Sequence, residues 1–170
     1  MKLANDKRGS VLIEAALVMP IMAMLLLGTL EFGQAFTAKR RTGQVATMAA
    51  ELIARAPCVT QADLQDVSAI GGTILRPYAS APLGLRITSV SGQATVLWSF
   101  GSGTLAPARS GVAFQLPASF AGQNKPLIVA EATYAFTPTI GKFLVSGTTF
   151  STTSYNYSRL ASAVPLKGSC

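Results

Sequence analysis

The chain has 170 residues, of which 49% are apolar and 12% charged, and its formal net charge is +7. This length suits one membrane anchor and one domain of roughly a hundred residues, while the scattered single arginines argue against a nucleic-acid partner. Histidine is absent, which removes the commonest metal ligand and the usual catalytic base, so we expect no metal, no cofactor and no enzymatic activity.

The N-terminal thirty residues combine a short polar segment with an apolar stretch. Residues 1–9 include Lys2, Lys7 and Arg8, and an apolar run from residue 10 to residue 30 follows. A helix needs about 20 apolar residues to cross a hydrocarbon core of about 30 Å. The run therefore predicts one transmembrane helix. Basic residues on its N-terminal flank favour a cytoplasmic N-terminus, although residues 39–41 are also basic.

Glu14 is the only ionisable residue between Ser10 and Leu30. A charged side chain at a membrane centre costs about 2.5 to 3.5 kcal/mol, and less near the interface, so a function is expected for it. If the chain were cut between Gly9 and Ser10, the new α-amino group would lie one helical turn from Glu14. The carboxylate would pair with that amine, or with the amine of a neighbouring subunit. The alternative is that Glu14 lies at the headgroup level and reaches water.

The helical pattern continues beyond the apolar run as an amphipathic helix to residue 56. Proline at position 57 ends it, because the residue before a proline is pushed out of the helical region. Six apolar residues recur at near-helical spacing and predict the buried stripe of this second half. They are Phe32, Phe36, Val45, Met48, Leu52 and Ile53.

The two cysteines lie at opposite ends of the segment that follows the helix. Cys58 comes directly after Pro57, and Cys170 is the last residue. In an oxidising compartment they would form a disulfide that closes almost the whole exported domain. The other interpretation is two unrelated free thiols.

A short second helix is predicted after Cys58. Thr60 is its predicted N-cap, and the pair Gly71-Gly72 is its predicted end. Asp63 and Asp66 lie one turn apart in this segment. They either compensate the helix dipole or bind a cation.

Four β-rich runs predict a four-stranded, mostly antiparallel sheet. Residues 101–125 are rich in Gly, Ser, Ala and Pro and predict a long surface excursion. Glu131 lies among apolar neighbours in the third run, so we expect a buried partner such as an arginine. The predicted fold is α+β, with the long helix packed on the sheet and a head domain at 57–170. The runs are 85–90, 94–100, 126–136 and 147–158.

The N-terminal pattern resembles a known processing site. A short basic leader, Gly9, four residues, Glu14 and then an apolar helix resemble the prepilin peptidase site of type IV pilin-like proteins. Further segments resemble the TadE-like minor pilins, or pseudopilins, of the tight-adherence (Tad or Flp) pilus. These segments are Glu14 to Pro20, Leu27 to Gly33, Thr95 to Ser99, Leu116-Pro117 and Leu127 to Pro138.

This resemblance implies a pilin-like fold, cleavage between Gly9 and Ser10 by a prepilin peptidase, and an inner-membrane protein with a periplasmic head. The implied partners are the lipid bilayer, other minor pilins, the major Flp pilin and the inner-membrane assembly platform. The implied function is to prime, cap or regulate the pilus, with or without entering the filament.

Two alternatives stay open at this point. One is a pseudopilin of a type II secretion system. The other is an unprocessed single-pass periplasmic module for binding or adhesion, whose head holds a ligand in the 101–125 loop.

Overall fold

The computed structural model describes residues 8–120, 122–139, 147–160 and 163–170, so most of the predicted leader lies outside the described residues. The chain divides into an N-terminal unit, Met1–Phe36 with Thr137–Gly147, and a second unit, Thr37–Phe136 with Thr148–Cys170, which we call the head. The elements within the described residues are α1 (Arg8–Arg55), α2 (Gln61–Ile74), β1 (Leu83–Val90), β2 (Val96–Ser102), β3 (Leu127–Phe136) and β4 (Thr148–Tyr157).

The four strands form one antiparallel sheet in the order β2-β1-β3-β4. The predicted α+β fold is therefore confirmed. Side chains alternate between the two faces of a strand, and the strand register puts one buried set on the face toward the helices. This set contains Leu83, Leu85, Ile87, Trp98, Phe100, Ile128, Ala130, Ala132, Tyr134 and Phe136.

The part of α1 in the head contacts the sheet mainly through alanines. Of the six apolar residues predicted to form the buried stripe, Val45 and Ile53 are buried, whereas Phe32, Phe36 and Leu52 are exposed. The prediction was wrong for these three, and Met48 is half-buried. Phe32 and Phe36 belong to the N-terminal unit, and the buried positions of α1 within the head are mostly small side chains. The buried side chains at helical spacing are Ala38, Thr42, Val45, Ala46, Ala49, Ala50, Ile53 and Ala54.

The second helix continues past the predicted stop at Gly71-Gly72 and ends at Ile74. A Cβ atom at Gly71 would lie 3.0 Å from Val45 Cγ1. The glycine therefore permits close packing of α2 on α1 and does not end the helix. The N-terminal prediction is confirmed, because Thr60 is the N-cap and forms a capping box with Asp63.

Residues 103–120 and 122–126 form a third layer on the opposite face of the sheet. Phe114 and Leu116 pack against a buried cluster of Val90, Leu127 and Val129. Phe120 stacks on Tyr155 with ring centroids 5.0 Å apart. The segment predicted as a surface excursion therefore covers part of the apolar surface on this face.

The C-terminal segment is linked to the residues between α1 and α2. Cys58 and Cys170 form a disulfide. Val59 pairs in parallel with Leu166. The indole Nε1 of Trp98 donates a hydrogen bond to the Val164 carbonyl oxygen at 2.7 Å. The C-terminal segment is thus held by a covalent bond, a backbone pairing and a side-chain hydrogen bond.

We expect the variant that carries both Cys58→Ser and Cys170→Ser to lose about 2 to 4 kcal/mol in free energy of unfolding. The bond joins residues 112 positions apart, so its loss enlarges the conformational entropy of the unfolded chain. Guanidinium unfolding of the full-length protein in detergent, followed by fluorescence of the sole tryptophan, measures the change. Reduced wild type is the matched control, and unfolding midpoints equal to that of oxidised wild type would contradict the expectation.

Asp63 should contribute to stability in a pH-dependent way. Hydrogen bonds from the backbone N–H and the side chain of Thr60 lower the pKa of Asp63. A lowered folded-state pKa stabilises the head above the unfolded value of about 3.9, and this contribution disappears as the pH falls through the folded-state value. Asp63→Asn should therefore unfold at lower denaturant than wild type near pH 7 and match it in strong acid. A pH-independent difference would contradict this account.

Candidate assembly site

The first half of α1 presents a continuous apolar surface. Between residues 11 and 30, the large apolar side chains are all exposed, with exposed fractions from 38% to 71%. Soluble monomers rarely leave so large an apolar patch in water. By length and composition the helix can cross a membrane, with a mean hydropathy of 2.3 over its most apolar stretch. Lipid or other apolar helices are the environments that suit this surface.

The predicted processing and pairing residues lie at the beginning of this surface. Gly9 and Ser10 belong to the first turn of α1 by their backbone, and Glu14 is an exposed residue one turn further along. Residues four apart in a helix lie on the same face. An α-amino group created at Ser10 would therefore be within reach of the Glu14 carboxylate if the helix kept its geometry.

One of the basic residues after the apolar stretch has a role within the head. The guanidinium of Arg41 donates to the carbonyl oxygen of Ile74 at 2.9 Å and also to that of Arg76. It thereby satisfies carbonyl groups at the C-terminal end of α2, which a helix leaves without internal partners. Lys39 and Arg40 are exposed. Sequence reasoning grouped all three as a membrane flank and missed the role of Arg41.

The acidic residues of the head take part in structural contacts. Glu131 lies opposite Arg86 in the β1–β3 register, and the two side chains form an ion pair. This confirms the predicted arginine partner. The hydrogen bond to Glu131 raises the pKa of Arg86 above its ordinary value. Asp63 caps α2, and within the described residues no group of three or more His, Cys, Asp and Glu side chains is placed to hold a metal ion.

The 101–125 loop, where the alternative interpretation placed a ligand, packs on the sheet through three side chains. Phe114, Leu116 and Phe120 are partly buried against the sheet. The spacing of Phe114 and Leu116 could have predicted this packing from the sequence, since residues two apart share one face of an extended segment. The glycines and prolines around them concealed it.

The predicted site residues fall in separate parts of the molecule. Gly9, Ser10 and Glu14 lie in the N-terminal unit, whereas Cys58 and Cys170 lie in the head. The first group lies at the beginning of the exposed apolar surface. The second group stabilises the head.

Comparison with known proteins finds a similarity confined to α1. Residues 9–51, about a quarter of the chain, match the family model described as TadE-like protein. No curated protein and no solved structure matches the chain. The matched segment begins at Gly9, includes Glu14 and the apolar surface, and extends into the alanine stripe of the head. Over this helix the comparison confirms the resemblance: residues 9–51 are similar to TadE-like proteins.

Proposed function

We propose that this protein is a minor pilin or pseudopilin that acts in the biogenesis of a Tad/Flp-type pilus. It primes, caps or regulates the filament through assembly and catalyses no reaction. The observation that carries the proposal is the exposed apolar half of α1 with a carboxylate near its beginning, inside a segment that matches the TadE-like family.

In this proposal a prepilin peptidase cleaves the chain between Gly9 and Ser10. The cleavage converts a chain with a basic leader into one whose terminal amine lies four residues before Glu14. In a hydrocarbon environment a neighbouring amine and carboxylate stabilise one another, because opposite charges attract strongly at low dielectric. The amine of a neighbouring subunit satisfies the same requirement and sets the axial register between parallel helices.

The proposed location is the bacterial inner membrane, with the N-terminus in the cytoplasm and the head in the periplasm. The apolar surface of α1 contacts lipid before assembly and other pilin helices during it. Its partners are the peptidase, other minor pilins, the major Flp pilin and the assembly platform. The disulfide of the head suits an oxidising periplasm.

The test of this function is the effect of Glu14→Ala and Glu14→Gln on pilus formation. Both variants should be expressed and inserted like wild type and should still be cleaved. Both should reduce piliation to the level of a strain that lacks this protein, because neither can pair with a terminal amine. Electron microscopy of surface pili and immunoblots of membrane fractions give the two readouts.

Glu31→Gln is the matched control, since it removes a carboxylate from the other end of the same apolar stretch. It should leave piliation unchanged. Normal piliation in the Glu14→Ala strain would overturn the proposed role of Glu14. Equal loss of piliation in the Glu31→Gln strain would show a nonspecific effect on the helix and would also contradict that role.

A further inference from the structure

The two edge strands of the sheet, β2 and β4, differ in whether other backbone pairs with their outer side. At the β2 edge, the Val96 N–H donates to the Val112 carbonyl oxygen at 2.9 Å, and the Gly111 N–H donates to the Val96 carbonyl oxygen at 2.8 Å. Thr95 also forms an antiparallel bridge with Ala113. The third layer therefore covers the beginning of this edge strand with hydrogen-bonded backbone.

The other edge, β4, is open over ten residues. Every residue from Thr148 to Tyr157 has a partner in β3 on its inner side. On its outer side, no strand formed by the described residues pairs with it. An edge strand of this kind presents a row of backbone donors and acceptors to any extended segment that approaches it.

The sequence of β4 lacks the features that usually block such pairing. It reads Thr-Thr-Phe-Ser-Thr-Thr-Ser-Tyr-Asn-Tyr, without a charged residue or a proline. Soluble proteins commonly protect an edge with lysine, proline, a bulge or a short strand. β4 is ten residues long and pairs with β3 in one uninterrupted register. These features fit an edge that accepts a further strand.

The neighbouring surface of α1 restricts the chemistry of the segment that fits there. A Cβ atom at Gly43 would lie 3.7 Å from Thr152 Cγ2 of β4, so α1 lies close to this strand. The adjoining groove on α1 carries uncharged Gly43 and Thr47 between Arg40 and Glu51. An added strand therefore meets an uncharged centre.

The ends of this surface are predominantly basic. Arg40 lies at one end of the groove and Arg55 at the other. Arg159 follows β4 and shares the Glu51 carboxylate with Arg55. Two guanidinium groups thus face one carboxylate at that end. The complementary segment has uncharged residues at its centre and acidic residues at its flanks.

Antiparallel pairing of β4 with the β4 strand of a second copy does not fit if the protein is anchored as proposed above. Antiparallel pairing of two identical edge strands requires a twofold axis perpendicular to the sheet. That axis reverses every direction in the plane of the sheet, including that of α1 packed upon it. Copies inserted in one bilayer from the same side have α1 pointing the same way.

We propose that β4 is a strand-addition site for an extended segment of a different protein, uncharged at its centre and acidic at its flanks. This inference goes beyond the proposed function and does not require cleavage at Gly9. A failure of the edge experiment therefore leaves the pilin assignment standing, whereas the exclusion of a second copy rests on the proposed membrane anchoring.

The test places a photo-crosslinking amino acid, p-benzoylphenylalanine, singly at Thr149, Ser151 or Thr153 in the full-length protein, in cells of the pilus-forming host. These three residues alternate along one face of β4. If a strand is added, all three should crosslink to one segment of one partner. The attachment point should move by about two residues for each step along β4, because paired strands advance together.

Two control variants sharpen the result. The same crosslinker at Leu97, an exposed residue of the covered β2 edge strand, should not give this register. Ser151→Lys adds a charge at the open edge and should abolish the crosslink from Thr149. The unfolding midpoint reported by Trp98 should not change. If Ser151→Lys abolished the crosslink and also lowered the unfolding midpoint, a surface role for Ser151 would be contradicted.

Several outcomes would overturn the proposal. Crosslinks to a second copy, or to residues 137–147 of the same chain, would show a different occupant of the edge. Crosslinks to one partner without a progressive register would show a side-by-side contact rather than strand addition. Absence of crosslinks from all three positions would show that the edge stays open in the cell.

Discussion

The apolar side chains between Val11 and Leu30 must be removed from water, and in the structure they remain exposed. Each square ångström of such surface costs about 25 cal/mol when it stays hydrated, so this part of α1 needs lipid or other helices around it. That requirement underlies the proposal of an anchored and associating protein, independently of any detail of the head. Glu14 is the one ionisable residue in this stretch, and in the proposed function it sets the register between neighbouring helices.

In the head, the helices pack through small residues instead of large apolar ones. Its part of α1 meets the sheet through alanines and Thr42, and Gly71 brings α2 equally close to Val45. The helices contribute small residues to this core, and the strands contribute the bulky side chains, including Trp98 and Tyr134. The segment 103–126 then covers part of the second face, and the disulfide holds the C-terminus to the start of the head. A compact scaffold results, with one edge strand open among the described residues.

Much of this arrangement could be predicted from local sequence, because the signals have local causes. Pro57 limits α1, Thr60 and Asp63 cap α2, and β-rich runs mark the four strands within about two residues. The errors concern tertiary contacts. Phe32 and Phe36 suggested a buried stripe because periodicity alone does not tell which side of a helix will meet a sheet, and Gly71 resembled a stop signal because its neighbour Val45 is distant in sequence. The proposed roles of Gly9, Ser10 and Glu14 come from a motif, whereas the open β4 edge became visible only with the strand order.

The measurement that tests the central claim most directly is the N-terminal residue of the mature protein. Mass spectrometry of the full chain should compare a host with its prepilin peptidase and the same host without it. The account predicts a chain that begins at Ser10 only when the peptidase is present. A chain that retains residues 2–9 in both hosts would contradict it and would leave an unprocessed, membrane-anchored module.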